Sequence, residues 1–188
     1  SLAAAGAIGM IAVFLQLAGA EGREALAWDR SALADGELWR LVTGHFAHLG
    51  WSHLGLNLAG LALVAWIAGE AYGLLRWAII TLATIAVIDA GFWYLYTDLE
   101  WYVGLSGLLH GLLVAGLLPG IRRHDRDALV LAMLVIGKLA WEQAVGPMPG
   151  SESGAGGAVI VDAHLYGAVG GLLGALLTWR RVGPDASI

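Results

Sequence analysis

Cysteine is missing from all 188 residues, which removes disulfides, thiolate metal sites and cysteine nucleophiles together. That absence leaves the redox compartment undetermined. Charge is scarce as well. Only 13% of residues are charged, against about a quarter in ordinary soluble domains, and 59% are hydrophobic. The net charge of −5 is spread along the chain with no basic patch, which argues against a nucleic-acid partner. The apolar segments lack the alternation of a membrane β-barrel. No internal repeat and no HExxH motif occur.

What the chain does have is long apolar runs. Hydrocarbon needs about 17–25 apolar residues per helix. Spans are expected near 2–20, 53–69, 74–96, 103–119, 127–145 and 161–179, the fourth on the short side. Helix is the only sensible secondary structure there, because each backbone group must be satisfied within its own segment. The expected fold is all-α: a polytopic membrane protein, a six-helix bundle forming a single domain over 1–188. A long outer loop, 21–52, follows the first span. Residues 146–160, "GPMPGSESGAGGAVI", read as a flexible loop. The chain opens on Ser1 rather than Met, so native residues are expected upstream. Residues 2–20 carry no basic n-region and are expected to span rather than to be a cleaved signal.

Basic residues set the expected orientation. Arg76, Arg122, Arg123, Arg126, Arg180 and Arg181 fall on one side if the spans simply alternate. Arg23, Arg30 and Arg40 fall on the other, diluted by Glu21, Glu24, Asp29, Asp35 and Glu37. The positive-inside rule then puts both termini in the cytoplasm and the long loop outside. Trp28, Trp39, Trp51, Trp93 and Trp101 are expected as an outer aromatic belt, and Trp66, Trp77 and Trp179 as an inner one.

With that orientation, spans two, four and six run from outside to inside, each with polar groups close to its start. "HLGLN" places His53 and Asn57 one turn apart on one helix face. "GLSG" contributes Ser106, and "DAHLYGAVGG" contributes His164. At 1.5 Å per residue all four sit about 5–10 Å below the outer helix ends. A serine hydroxyl becomes a nucleophile when histidine takes its proton. Asn57, His53 and the Ser106 amide are candidate donors to the oxyanion of acyl transfer. Gly107 and Gly111 in span four, and Gly167 and Gly171 in span six, would let those helices approach closely. The structural alternative for Ser106 alone is a back-bond to a carbonyl. An intramembrane histidine is functional by default.

"ELWRLVTGHFAHLGWSHLGLNLAG" (37–60), "GLSG" (104–107) and "AHLYGAVGG" (163–171) together resemble the rhomboid intramembrane serine proteases. The resemblance covers nearly the whole chain. It implies a Ser106–His164 dyad without a third acidic member, and an oxyanion hole of His53, Asn57 and the Ser106 amide. It implies that Gly104 lets the chain bend into the site. Trp39-Arg40 matches the family's Trp-Arg pair in the first loop, and His48 a histidine that holds that loop to span two. Ordinary rhomboids often carry an aromatic four residues after the serine; here that residue is His110. "GLSGLLHGL" resembles the rhombosortase subgroup of bacterial rhomboids. The subgroup implies clients with a C-terminal Gly-Gly motif, a transmembrane helix and a basic tail. It also implies an inner-membrane location with the site open to the periplasm. No cofactor and no metal are expected. His110 shares a face with Ser106 and is expected to stack on His164 or tune it, ahead of serving as the base itself.

Lys138 and Glu142 are four apart in span five and are expected to neutralise each other as a structural pair. Asp89 lies mid-span with no visible partner. Asp162 is expected as a helix-start residue, His124 as a solvated loop residue, and Glu37 as part of the first loop. Three rivals stand beside the protease. A transporter would use the intramembrane charges, but paired discontinuous helices are missing. A metalloenzyme would use His45, His48, His53, His110 and His164, but no acid is expected at their depth. An inactive rhomboid relative would only bind membrane clients, against which stand Ser106 and His164.

Overall fold

The computed structural model describes residues 2–179. Arg180 and Arg181, counted above toward the expected orientation, lie outside them, as does the side chain of Trp179. The chain is mostly helical. Helix α1 (Leu2–Gln16) breaks at residues 17 and 18 and turns by 118° into α2 (Gly19–Leu26). Strand β1 (Trp28–Asp29) and the short helices α3 (Arg30–Ala34) and α4 (Arg40–Thr43) complete the first loop. Then come α5 (Trp51–Ala68), α6 (Leu74–Tyr94), β2 (Trp101–Tyr102), α7 (Ser106–Arg122), α8 (Arg126–Val145), α9 (Ser151–Ala155) and α10 (Val161–Trp179).

Four helices, α5, α6, α8 and α10, are long and apolar enough to cross a bilayer, and counting α1 with α2 as one broken span makes five. Helix α7 is apolar but has 17 residues, at the lower limit for a crossing. The expected first span, 2–20, is therefore shorter as a straight helix, because the chain bends after Gln16 toward the polar segment "GAEGREAL". Large apolar side chains point outward all round, among them Phe14, Leu75, Leu134, Ile136 and Leu177. An outward apolar surface of this kind suits lipid rather than water. The chain is a multi-pass membrane protein.

Helix α7 is the centre of the bundle. Eight of its residues are buried, including Gly107, Gly111, Leu108 and Leu112. Its partner is α10, and the two backbones touch. A Cβ on Gly167 would strike the Gly107 carbonyl, and one on Gly171 the Gly111 carbonyl. Lipid tails are as apolar as leucine, so close van der Waals packing rather than the hydrophobic effect holds such helices together. Helix α8 sits at the edge, with only Ala128, Leu139 and Glu142 buried.

The first loop is clamped over the bundle. Strands β1 and β2 pair antiparallel, Trp28 with Tyr102 and Asp29 with Trp101, tying the loop to the segment before α7. Arg40 is buried; its Nη1 donates to the carbonyls of Glu24 and Ala27, and its Nε to Glu37. Trp39 Nε1 donates to the Ala25 carbonyl. Arg30 donates to the Phe92, Tyr96 and Leu99 carbonyls, at and beyond the end of α6, where helical donors run out. Two residues expected in aromatic belts belong to the core instead. Trp28 packs edge-on against Phe92, and Trp77 donates to the Gly69 carbonyl.

The glycine-rich loop 146–160 is not featureless. It folds α9 between left-handed glycines, Gly150 and Gly156. The Ser151 and Ser153 hydroxyls donate to the Met148 and Gly150 carbonyls, local bonds that short polar side chains make readily. Ser52 Oγ donates to the Gly154 carbonyl at 2.6 Å and pins α9 to the start of α5.

Candidate active site

Each site residue sits near the start of its helix. His53 and Asn57 occupy the first two turns of α5, Ser106 opens α7, and His164 lies in the first turn of α10. The glycine contacts between α7 and α10 bring the last two together. Ser106 Oγ lies 3.0 Å from His164 Nε2. Both line a cavity of about 260 Å³ that also holds His53, Asn57, His110, Lys138 and Glu142, with Met148, Ser151 and Ala155 of the 146–160 loop over it.

The segment before Ser106 is held tightly. The Gly104 amide donates to the Gly44 carbonyl, and the Tyr102 hydroxyl donates to the Gly104 carbonyl at 2.6 Å. Burial pushes the Tyr102 phenol up, so it remains a donor. Gly104 has φ +140°, and a Cβ there would lie 3.0 Å from His53 Cε1. Both facts require glycine. The chain therefore passes close to the His53 ring and delivers Ser106 as the first residue of α7. Amides in a helix's first turn have no intrahelical acceptor, and the helix dipole adds positive charge there.

The polar partners fix several tautomers. The Leu49 amide donates to His53 Nδ1 at 3.3 Å, so the His53 proton resides on Nε2, the nitrogen next to Gly104. Asn57 Nδ2 uses one proton on the His53 carbonyl, which leaves the second free. His110 Nδ1 donates to the Ser106 carbonyl at 2.7 Å, and its ring stacks on His164 with centroids 4.2 Å apart.

One contact departs from the sequence reading. Glu142 pairs with Lys138 through Oε1 at 2.7 Å, but its Oε2 lies 2.9 Å from His164 Nδ1. The imidazole thus has an acidic partner, and the pair is more than a local neutralisation. The only signal was an acid placed within a span. Asp89 finds its partner in His45, whose Nε2 lies 3.1 Å from Oδ1. Glu37 pairs with Arg40. Asp162 lies in the first turn of α10, and His124 is exposed in the α7–α8 turn at φ +58°.

The six histidines do not converge. His45 faces Asp89, and His48 stands edge-on to His53 at 5.0 Å. Among the described residues, His110, Glu142 and His164 bring donor atoms within 4.8 Å of one another, so an acid does sit at histidine depth. Two rings only 20° from parallel cannot aim in-plane lone pairs at one ion, and Lys138 occupies the carboxylate.

His48 is buried against the start of α5. Desolvation, with the nearby His53 adding to it, pulls its imidazole down to about 4. The unfolded chain binds a proton there near pH 6.5 while the folded chain does not. Folding stability therefore falls as pH drops from about 6.5 to 4, by on the order of 3 kcal/mol. Thermal unfolding of detergent-solubilised protein across that window is expected to show the loss, and His48→Gln to flatten it. Identical pH slopes in the two proteins would remove His48 as the cause.

Comparison with known proteins gives the family. The Rhomboid domain model matches residues 35–181. Rhomboid-like protease 5 of Toxoplasma gondii is 33% identical over 149 residues, 78% of this chain. The chain spans 17% of that relative's length. The match begins in the first loop and takes in every helix that lines the cavity, and on that extent the chain belongs to the rhomboid family.

Proposed function

We propose that this chain is an intramembrane serine protease, with Ser106 as nucleophile and His164 as general base. The observation that carries the reading is the 3.0 Å contact between Ser106 Oγ and His164 Nε2 in a cavity at the helix starts. His164 Nε2 takes the hydroxyl proton as Oγ attacks the client's carbonyl carbon. His53 Nε2–H, Asn57 Nδ2–H and the Ser106 amide hold the oxyanion. The peptide C–N bond then breaks, and the imidazolium returns its proton to the leaving amine. Water, deprotonated by the same imidazole, hydrolyses the ester and frees Ser106. Gly104 serves by letting the loop lie against His53, and His48 by holding the first loop to α5.

The membrane reading is a single domain of six crossings, with α1 and α7 as the short ones. Both termini face the cytoplasm, and the cavity opens to the periplasm of a bacterial inner membrane. The arginines flanking α6, α7 and α8 support that orientation. A client helix reaches the cavity from the bilayer and unwinds at small residues, since glycine is a weak helix former. "GLSGLLHGL" supports the rhombosortase subgroup and clients bearing a C-terminal Gly-Gly, a transmembrane segment and a basic tail.

A fluorophosphonate probe tests the chemistry directly. Wild type is expected to label on Ser106, and Ser106→Ala to lose both labelling and client cleavage. Activity sensitive to chelators and without labelling would replace the serine mechanism by a metal one. Co-expression with a tagged Gly-Gly client, and mass spectrometry of its new C-terminus, tests the subgroup.

A further inference from the structure

We infer that Glu142, reaching in from the edge helix α8, is a positioning residue that holds the His164 imidazole in its reactive tautomer against the competing Lys138 ammonium. The inference rests on the protease reading for its kinetic consequences, but the contact it describes can be tested without turnover.

Helix α8 buries very little, yet Glu142 is 2% exposed. A lone carboxylate at that depth is costly, and two partners compensate it. Lys138 holds Oε1 at 2.7 Å, and His164 Nδ1 meets Oε2 at 2.9 Å. An ionised carboxylate only accepts hydrogen bonds, so the Nδ1 proton must be present and Nε2 must carry the lone pair. That is the form able to accept the Ser106 proton. Lys138 Nζ also lies 3.4 Å from Nδ1. Its donation there would select the opposite tautomer, with a proton on Nε2 facing Ser106. The shorter, oppositely charged Glu142 contact outweighs it. No proton leaves Nδ1 during the cycle: the carboxylate orients the ring and stabilises the imidazolium that forms when Nε2 takes the serine proton.

The groups facing His164 are Ser106 and His110 from α7, and Lys138 and Glu142 from α8. They give the two α8 residues opposite signatures. Glu142→Gln removes negative charge from the imidazolium. It is expected to lower kcat by on the order of 10²–10⁴-fold with little change in KM, and to move the acid limb of the pH–rate profile to lower pH. Glu142→Asp is expected to recover part of the rate. Lys138→Met removes the competing positive charge and is expected to move the same limb to higher pH. A merely structural ion pair would lower stability and leave kcat at the wild-type value, with nothing for Glu142→Asp to restore.

Proton NMR of histidine-labelled protein gives the independent readout. A low-field Nδ1–H resonance is expected in wild type and in Ser106→Ala, and is expected to move well upfield in Glu142→Gln, whose amide oxygen is an uncharged, weaker acceptor. If wild type fails to label with fluorophosphonate while the resonance behaves this way, the protease reading fails and the Glu142 contact survives. A resonance unaffected by Glu142→Gln, a wild-type rate in that variant, or limb shifts of the same sign in both variants overturns the positioning role. Should Glu142→Gln not fold, an unmoved limb in Lys138→Met is decisive against it.

Discussion

His164→Ala is expected to reduce client cleavage by on the order of 10⁴–10⁶-fold, while His110→Tyr retains a measurable fraction of wild-type rate. The two imidazoles lie face to face, so the contrast separates base from neighbour. Only His164 has a nitrogen 3.0 Å from Ser106 Oγ and another on Glu142. His110 spends its Nδ1 proton on the Ser106 carbonyl, one turn back on its own helix. A tyrosine can keep the ring stacking but not that bond, so some loss is expected. Single-turnover cleavage of a client in proteoliposomes measures both variants. Equal loss in the two, with thermal midpoints unchanged, would transfer the base role to His110 or divide it between them.

Gly171→Val is expected to be the most damaging change away from the polar residues. A Cβ there meets the Gly111 carbonyl, a backbone atom that cannot rotate aside. Helices α7 and α10 would have to move apart or rotate. Overpacking typically costs about 1–3 kcal/mol, and a backbone clash belongs at the upper end or beyond. The same displacement would pull His164 from Ser106, so labelling should fall even in the fraction that remains folded. Gly137→Ala is the control. Gly137 lies on α8, where an added Cβ meets nothing within 4 Å, and the change should be neutral. Detergent unfolding midpoints and fluorophosphonate labelling of both variants decide the matter. A Gly171→Val protein with wild-type stability and labelling would show that the α7–α10 contact is not what sets the site.

Much of the architecture is legible in the sequence because it is local. A run of apolar residues fixes its own helix and its own solvent, and the starts of α5, α7 and α10 fall within a few residues of their expected places. Small residues at Gly107, Gly111, Gly167 and Gly171 announce a close approach of two spans. The break after Gln16 is harder to see. Residues 17–20 are apolar enough to continue a span, and the chain turns because the polar segment behind them belongs to the first loop. Helix α9 is hidden because glycine-rich sequence reads as loop. Beside its local serine bonds it is pinned by a neighbour, Ser52, far away in the chain.

By itself the sequence determined the membrane setting, the long helices from α5 onward and the presence of Ser106, His53, Asn57 and His164 near helix starts, since each depends on composition and short-range spacing. Only the tertiary structure decided two meetings across helices that the spacing does not announce: Asp89 with His45, and Glu142 with His164. Lys138 and Glu142 already satisfy each other at i,i+4, so nothing in their spacing points to a third partner. That partner depends on how α8 is rotated and tilted against α7 and α10, and helix rotation is set by packing between elements.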